Sequence, residues 1–431
     1  MASVTSRTLR NQVMYQIFPR NFSKEGTFRG IIPQLDRIRD LGVDIIYFTP
    51  IHPIGEKARK GSLGSPYAIK DYRAINPEFG TLDDFKELVE EIHNRGMKCI
   101  MDVVYNHTSP DSVLAHNHPE WFYHKPDGSF GNRVGDWTDI IDLDYFDKEL
   151  WDYQIETLKM WAEIVDGFRC DVAPLVPIEF WKRAREEVEK VCPECFWLSE
   201  SIDPPFIQVM RDMGVLAQSD SEMYQAFDVL YDYDIYQDFT SYVSGKGTLE
   251  NFAQAINRQE YIYPDNYVKL RFLENHDQPR ARFLFPDERA LRNATAFLYF
   301  QKGMTFLYAG QEMGMAHLPS LFDRDTLDWE AKENVDLTEL LVALRNIKRD
   351  PLFADSTYRL KTYEDNILKG IHSRGDRKCI GIFSMKGEAS LVPINAPDGV
   401  YRNRIDGSSV EIMHGYISVS GEPIIIDVEV G

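Results

Sequence analysis

"VDGFRCDVA" (165–173) places an arginine and an aspartate two residues apart in a run that otherwise reads as a buried strand. Successive side chains of a strand point to opposite faces, so Arg169 and Asp171 share one face, and Phe168, Cys170 and Val172 share the other. A buried charge is costly unless it is paired or used. Two opposite charges on one face of a covered strand therefore mean an internal ion pair or a working site at the strand's end. The rest of the chain decides between these.

Similar apolar runs recur from about residue 12 to 349. They read as strands at "VMYQIF" (13–18), "DIIYFTP" (44–50), "KCIMDVVYN" (98–106), the quoted run, "CFWLSE" (195–200), a weaker "GVLAQSD" (214–220), "YVKLRFLEN" (267–275) and "MTFLYAG" (304–310). Amphipathic stretches separate them. "LDDFKELVEEIHNRG" (82–96) has helical spacing, Thr81 as an N-cap and Gly96 as a stop. "IEFWKRAREEVEKV" (178–191) follows Pro177 in the same style. Nearly continuous apolar strands with helices between them imply a parallel sheet covered on its faces. Eight such units predict an α/β fold, a (β/α)8 TIM barrel. A doubly wound sheet is the alternative, but no G-x-G-x-x-G follows the first strand.

The barrel is expected over residues 1–349. Residues 108–140 lack periodicity and read as a short inserted domain after the third strand, since long loops in compact domains are usually lids or insertions. From 350 to 431 short alternating segments divided by turn residues predict a C-terminal antiparallel β-sandwich.

Composition narrows the partners. A net charge of −20 repels phosphate backbones and anionic surfaces, so neither nucleic acid nor membrane is expected. No run approaches the length of a membrane helix, and "MASVTSRTLRNQVMYQIF" has no apolar signal-peptide core, so a cytoplasmic location is expected. Five cysteines argue against a disulfide framework. Cys192 and Cys195 form a lone C-x-x-C, "CPEC", which offers only two ligands and reads as a helix end. Oligomeric state is not legible.

Polar groups collect at the C-terminal ends of four strands, where barrel active sites form. The third ends in Asp102, Asn106 and His107, the fourth in Asp171, the fifth in Glu200, and the seventh in Asn275, His276 and Asp277. One helix-and-strand unit separates Asp171 from Glu200, and two units with longer loops separate Glu200 from Asp277. There is no Ser-His-Asp set, and no glycine-rich phosphate loop opens a helix after the seventh or eighth strand. Paired carboxylates of this kind suit glycosidic chemistry, one as nucleophile and one as general acid, around an oxocarbenium-like transition state.

"DVVYNH", "GFRCDVA", the Glu200 strand end and "FLENHD" resemble, in order, the four signature regions of the α-amylase superfamily of glycoside hydrolases. "GSPYAIKDY" (64–72) and "YAGQE" (308–312) resemble two further regions. The resemblance implies a retaining hydrolase of α-1,4-glucosidic bonds in malto-oligosaccharides or starch. It implies Asp171 as nucleophile, Glu200 as acid and base, and Asp277 as the group that binds the sugar's 2- and 3-hydroxyls. It further implies that Arg169 keeps Asp171 ionised and oriented, that Asp102 braces Arg169, that His107 and His276 hydrogen-bond the sugar, and that Tyr67 stacks on it. A transglycosylase of the 4-α-glucanotransferase type is the alternative. A non-catalytic carbohydrate-binding relative is a remoter one, since such relatives lack one or more of the three carboxylates.

The sequence departs from calcium-dependent members. Their nucleophile region continues into Lys-His, whereas here it runs Ala173-Pro174-Leu175. Asn106 matches a position that often ligates calcium, but one ligand is not a site. No metal or other cofactor is therefore expected. The inserted aromatics Trp121, Phe122, Tyr123 and Trp137 are expected either to form a small core or to line sugar subsites, and "PSLFDRDTLDW" (319–329) could frame the cleft.

Overall fold

The structure is a computed structural model and describes residues 4–135 and 137–429. Eight parallel strands close into a barrel: β1 (Val13–Ile17), β2 (Ile45–Phe48), β3 (Lys98–Val103), β4 (Gly167–Cys170), β5 (Phe196–Ser199), β6 (Val229–Tyr231), β7 (Lys269–Arg271) and β8 (Met304–Tyr308). Each pairs with its neighbours in chain order, and β8 returns to β1. Alternate residues fill the interior, among them Met14, Tyr47, Ile100, Leu198, Tyr231, Leu270 and Phe306. The opposite faces, including Phe168 and Cys170, join the larger core beneath the helices. The alternation read from the quoted stretch thus sets Arg169 inward, directly opposite Asp102 across the β3–β4 register. Gly167 opens that strand because a Cβ there would lie 2.3 Å from the Phe196 carbonyl oxygen.

Seven strands fall where the sequence places them, and the sixth does not. Residues 214–219 are a connection after the helix Pro204–Asp212 and Asp220 opens the short helix Asp220–Met223, whereas β6 is "VLY" within "FDVLYDYD". Acidic residues on both sides disguise a three-residue strand whose Val229 and Tyr231 are wholly buried in the barrel. The seventh strand is also shorter than its apolar run, because pairing stops at Arg271 and residues 275–277 turn at the rim.

Helix α1 (Leu82–Asn94) starts at a reciprocal Thr81–Asp84 capping box and is followed by Gly96 at φ 74°. Helix α2 (Ile178–Val188) follows Pro177 and buries Phe180, Trp181, Ala184 and Val188. The insertion is tied at its base by a short antiparallel pair, His107–Thr108 with Ile141–Asp142. Trp121 and Phe122 are buried and join the main core beneath the barrel helices, with Trp121 stacked on His118 and packed on Tyr153.

Beyond the helix α3 (Thr338–Lys348) the chain forms two four-stranded antiparallel sheets. Ile367, Ile380 and Ile382 of one meet Val392, Ile412 and Ile417 of the other, which makes a sandwich. The first sheet turns its other face onto Phe297 and Phe300 of the barrel helix Glu288–Phe300. Gly370 permits this approach, since a Cβ there would lie 2.5 Å from the Phe300 ring. Among the described residues no helix is long and apolar enough to cross a membrane.

Candidate active site

The barrel ladder continues just past its strands and fixes two carboxylate-bearing residues. The Asp171 N–H donates to the Val103 carbonyl at 2.9 Å, and the Glu200 N–H donates to the Cys170 carbonyl at 3.0 Å. Between them Val172 adopts φ 34°, ψ 41°, a left-handed conformation that costs a β-branched residue on the order of 1–3 kcal/mol. This turn sends the Val172 N–H onto Glu200 Oε2 at 2.8 Å. Nothing in the residue pattern signals this turn.

Arg169 is the hub, and it has no solvent exposure. Its Nη1 donates to Asp102 at 2.9 and 3.1 Å and to Asp171 Oδ1 at 2.8 Å. Its Nη2 lies 2.6 Å from Glu200 Oε1, a close ion pair without hydrogen-bond alignment. Asp102 is in turn saturated: Tyr47 donates to its Oδ2 at 2.5 Å and Tyr67 at 3.0 Å. Asp102 therefore braces Arg169 from inside the barrel.

His276 joins this cluster to the seventh strand. Gln16 lies 2.7 Å from its Nδ1, and Tyr67 Oη and Asp277 Oδ2 lie 2.6 and 3.0 Å from its Nε2. With the Gln16 amide donating, Nε2 carries the proton and serves the other two. The Tyr67 ring stacks on His276 at 5.3 Å and 15°. Asp277 is held by its own N–H bonding back to Asn275 Oδ1 at 2.9 Å, and Asn275 donates to Tyr233 at 2.9 Å.

Asp171, Glu200, Asp277, Tyr67 and His107 all line one cavity of about 310 Å³. Arg169 and His276 stand behind its wall. Trp137 of the insertion also faces the cavity and packs on His107, while Tyr123 lies under Arg133 instead. Lys60, Asp139 and Phe322 complete the rim, with Lys60 and Asp139 paired at 2.9 Å. Sequence reasoning missed Lys60 and Asp139, which become neighbours only when the second loop meets the insertion. It also missed Gln16 and Tyr47, whose polar tips on inward-facing strand positions were the available signal. Glu312 of "YAGQE" lies elsewhere, accepting from Tyr15 and Arg37 at 2.6 Å each.

The electrostatics amend one expectation. Burial, and then the charge of Glu200, push the Asp171 carboxyl well above its ordinary range, against the pull of Arg169. Burial also raises Glu200, with Arg169 lowering it and Asp277 raising it. A guanidinium divided among three carboxylates orients Asp171, and its pull is opposed by burial and by the neighbouring Glu200 charge. Each carboxyl of the pair therefore makes ionising the other harder, which suits a nucleophile beside a general acid. Asp277, open to solvent on one side, ends below the ordinary range: burial raises it, and His276 and Arg169 outweigh that. Burial lowers His107 to about 4, so it is neutral at pH 7.

The position that suggested calcium has a different donor set. Asp142 and Asp144 lie near Asn106, but Arg133 reaches both carboxylates, at 3.6 and 3.3 Å. Asp142 Oδ1 is buried without a partner, and burial raises its carboxyl to about 6 despite Arg133. A guanidinium already reaching both carboxylates supplies the positive charge that a divalent cation would bring there, and does not fit one. Among the described residues no three His, Cys, Asp or Glu side chains gather as ligands.

Two family models match consecutive parts of the chain. The alpha amylase catalytic domain matches residues 16–357, and the bacterial alpha amylase C-terminal domain matches residues 359–426. Among solved structures, an alpha-amylase from Lactobacillus plantarum is 47% identical with a TM-score of 0.94, covering 98% of this chain and 100% of that one. A noncanonic maltogenic alpha-amylase from Thermotoga neapolitana is 31% identical with a TM-score of 0.87, again over 98% and 100%. An α-1,4-glucan:maltose-1-phosphate maltosyltransferase of Myxococcus xanthus is 32% identical over 240 residues, which are 50% of this chain and 36% of that protein. The chain thus spans about a third of that relative's length.

Proposed function

The chain belongs to the α-amylase family of glycoside hydrolases, and on that premise we propose that it hydrolyses α-1,4-glucosidic bonds of malto-oligosaccharides or starch fragments with retention of anomeric configuration. The observation that carries this reading is the sharing of Arg169 between Asp171 and Glu200, at 2.8 and 2.6 Å, at one end of adjacent strands. One guanidinium spanning both groups suits the short carboxyl separation of retaining enzymes, about 5–5.5 Å, better than the wider gap of inverting ones.

In the first step an Asp171 oxygen attacks the anomeric carbon while Glu200 gives its proton to the departing glycosidic oxygen. The bond to the leaving sugar breaks as the bond to Asp171 forms. In the second step Glu200 takes a proton from water, the water oxygen attacks the same carbon, and Asp171 leaves. Both carboxyls return to their starting states. Asp277 binds the 2- and 3-hydroxyls, and its negative charge favours the positive character that the ring develops. Neutral His107 orients sugar hydroxyls, His276 holds Tyr67 and Asp277 from behind the wall, and Tyr67 forms a wall of the subsite. No metal enters any step. The partner is the glucan itself, with no role for nucleic acid or membrane.

Maltoheptaose turnover followed by chromatography, with Asp171→Asn alongside, tests the reading. Shorter sugars from the unsubstituted chain alone support hydrolysis. Products longer than seven units favour the glucanotransferase reading, which similarity to maltosyltransferases keeps in view. No reaction moves the substrate away from α-1,4 chains.

A further inference from the structure

The "CPEC" turn lies between α2 and β5, at the end of the barrel opposite the carboxylates. Helix α2 ends at Val188, so the turn is not its final residues. The Cys192 N–H donates to the Val188 carbonyl at 2.8 Å, and the Cys195 N–H donates back to the Cys192 carbonyl at 3.1 Å. A four-residue turn closed this way holds its end Cα atoms within about 7 Å. A disulfide spans about 4.4–6.8 Å between Cα atoms, a range that a hydrogen-bonded turn of this kind reaches.

The two thiols are free and unequal. Cys195 is buried, and Cys192 is half-buried with Pro193 and Glu194 exposed beside it. A hydrogen bond from Cys195 brings the Cys192 thiol down to about 7, with Lys98 assisting and burial and Asp166 opposing. The other three cysteines, Cys99, Cys170 and Cys379, are buried, and burial pushes each thiol up. An accessible thiolate backed by a buried thiol three residues on is the arrangement of dithiol exchange.

We propose that Cys192 and Cys195 are a redox-active pair that closes to an intramolecular disulfide when the protein meets a disulfide oxidant, with oxidised glutathione as the probe. The Cys192 thiolate attacks one glutathione sulfur, forming a mixed disulfide and releasing one glutathione thiolate. Cys195 then gives its proton to solvent and attacks Cys192 Sγ, which releases the second glutathione. Two protein thiols are oxidised as one small disulfide is reduced to two thiols.

The test equilibrates the full chain in glutathione buffers of graded redox ratio, quenches with acid, unfolds the protein, alkylates it with a maleimide and measures intact mass. Five alkylations are expected at the reducing end, one for each cysteine. Three are expected at the oxidising end, with no glutathione attached and the lost pair mapping to the 192–195 peptide. Cys195→Ala is expected to retain one glutathione on Cys192, and Cys192→Ala none. Five alkylations throughout the series, or glutathione retained on Cys192 of the unsubstituted chain, overturn the proposal. If the variants do not fold, the unsubstituted chain decides it alone.

Discussion

Two buried charge clusters flank the upper barrel, and they are built to opposite ends. One is Asp102, Arg169, Asp171 and Glu200. The other lies outside the strands of β6 and β7, where Lys269 binds Asp220 and, at 2.8 Å, Asp234, and Arg271 binds Asp232 at 2.7 Å. The second cluster has two cations for three carboxylates and is packed round by Gln259 and Tyr263, which donate to Asp232 and Asp234. The first has one cation for three carboxylates, and two of those open onto the cavity. Excess negative charge facing a cavity retains a proton and attracts a developing cation. A near-balanced, closed cluster only holds the wall in place.

The largest expected effect breaks the first cluster alone. Asp171→Asn removes the nucleophile and should lower kcat by about 10⁴-fold or more, with circular dichroism and melting temperature nearly unchanged. Glu200→Gln should cost about 10²–10⁴-fold on natural glucans and much less on a glycosyl fluoride, whose leaving group needs no proton. Asp277→Asn should also lose turnover while folding normally. Near-normal kcat in any of these variants contradicts that residue's assignment.

Lys269→Met makes the converse test. It leaves Asp220 and Asp234 buried without their cation and should destabilise the fold by about 3–5 kcal/mol in denaturant titrations. Activity per folded molecule should be retained. A variant as stable as the parent but inactive would reverse the comparison.

The third test is pH. Activity requires Asp171 ionised and Glu200 protonated, so kcat/KM should fall at low pH as the nucleophile gains a proton and at high pH as the acid loses one. The alkaline limb should lie above the ordinary glutamate value of 4.5, because burial and Asp277 raise Glu200. Glu200→Gln should abolish that limb on an activated substrate, and a limb that persists assigns it to another group.

Smaller effects are expected at the Arg133 site. Asp142 binds its proton more tightly when folded, at about 6 against 3.8 unfolded. The stability this contributes is full below pH 3.8, falls as the pH rises towards 6, and is gone above it. Asp142→Asn should therefore gain on the parent above pH 6, by about 3 kcal/mol, and gain less than about 1 kcal/mol near pH 4. The smallest expected effect is that of EDTA, which should leave both activity and melting temperature unchanged. A drop restored by calcium would place a metal where Arg133 now reaches.

The same contrast explains what the sequence could reveal. Asp171, Glu200 and Asp277 were legible because strand periodicity and the barrel rule together place strand ends at one pocket. Arg169 followed from alternation, and Asp102 as its brace only from the family resemblance, the register that pairs them being a feature of the fold. β6 was not legible, because three buried residues between aspartates look like surface until β5 and β7 enclose them. Nor was the division of Arg169 among three carboxylates, which depends on how far β5 rises beside β4. Val172 and the Lys60–Asp139 pair likewise exist only through tertiary closure.

The most direct test of the central claim, that Asp171 and Glu200 work as a retaining pair, is the anomer first released from a malto-oligosaccharide, read by proton NMR before mutarotation. The account predicts α-anomeric product first, with β appearing only at the rate of mutarotation. β-Anomeric product from the outset would mean direct attack by water, and would contradict the assignment of Asp171 as nucleophile.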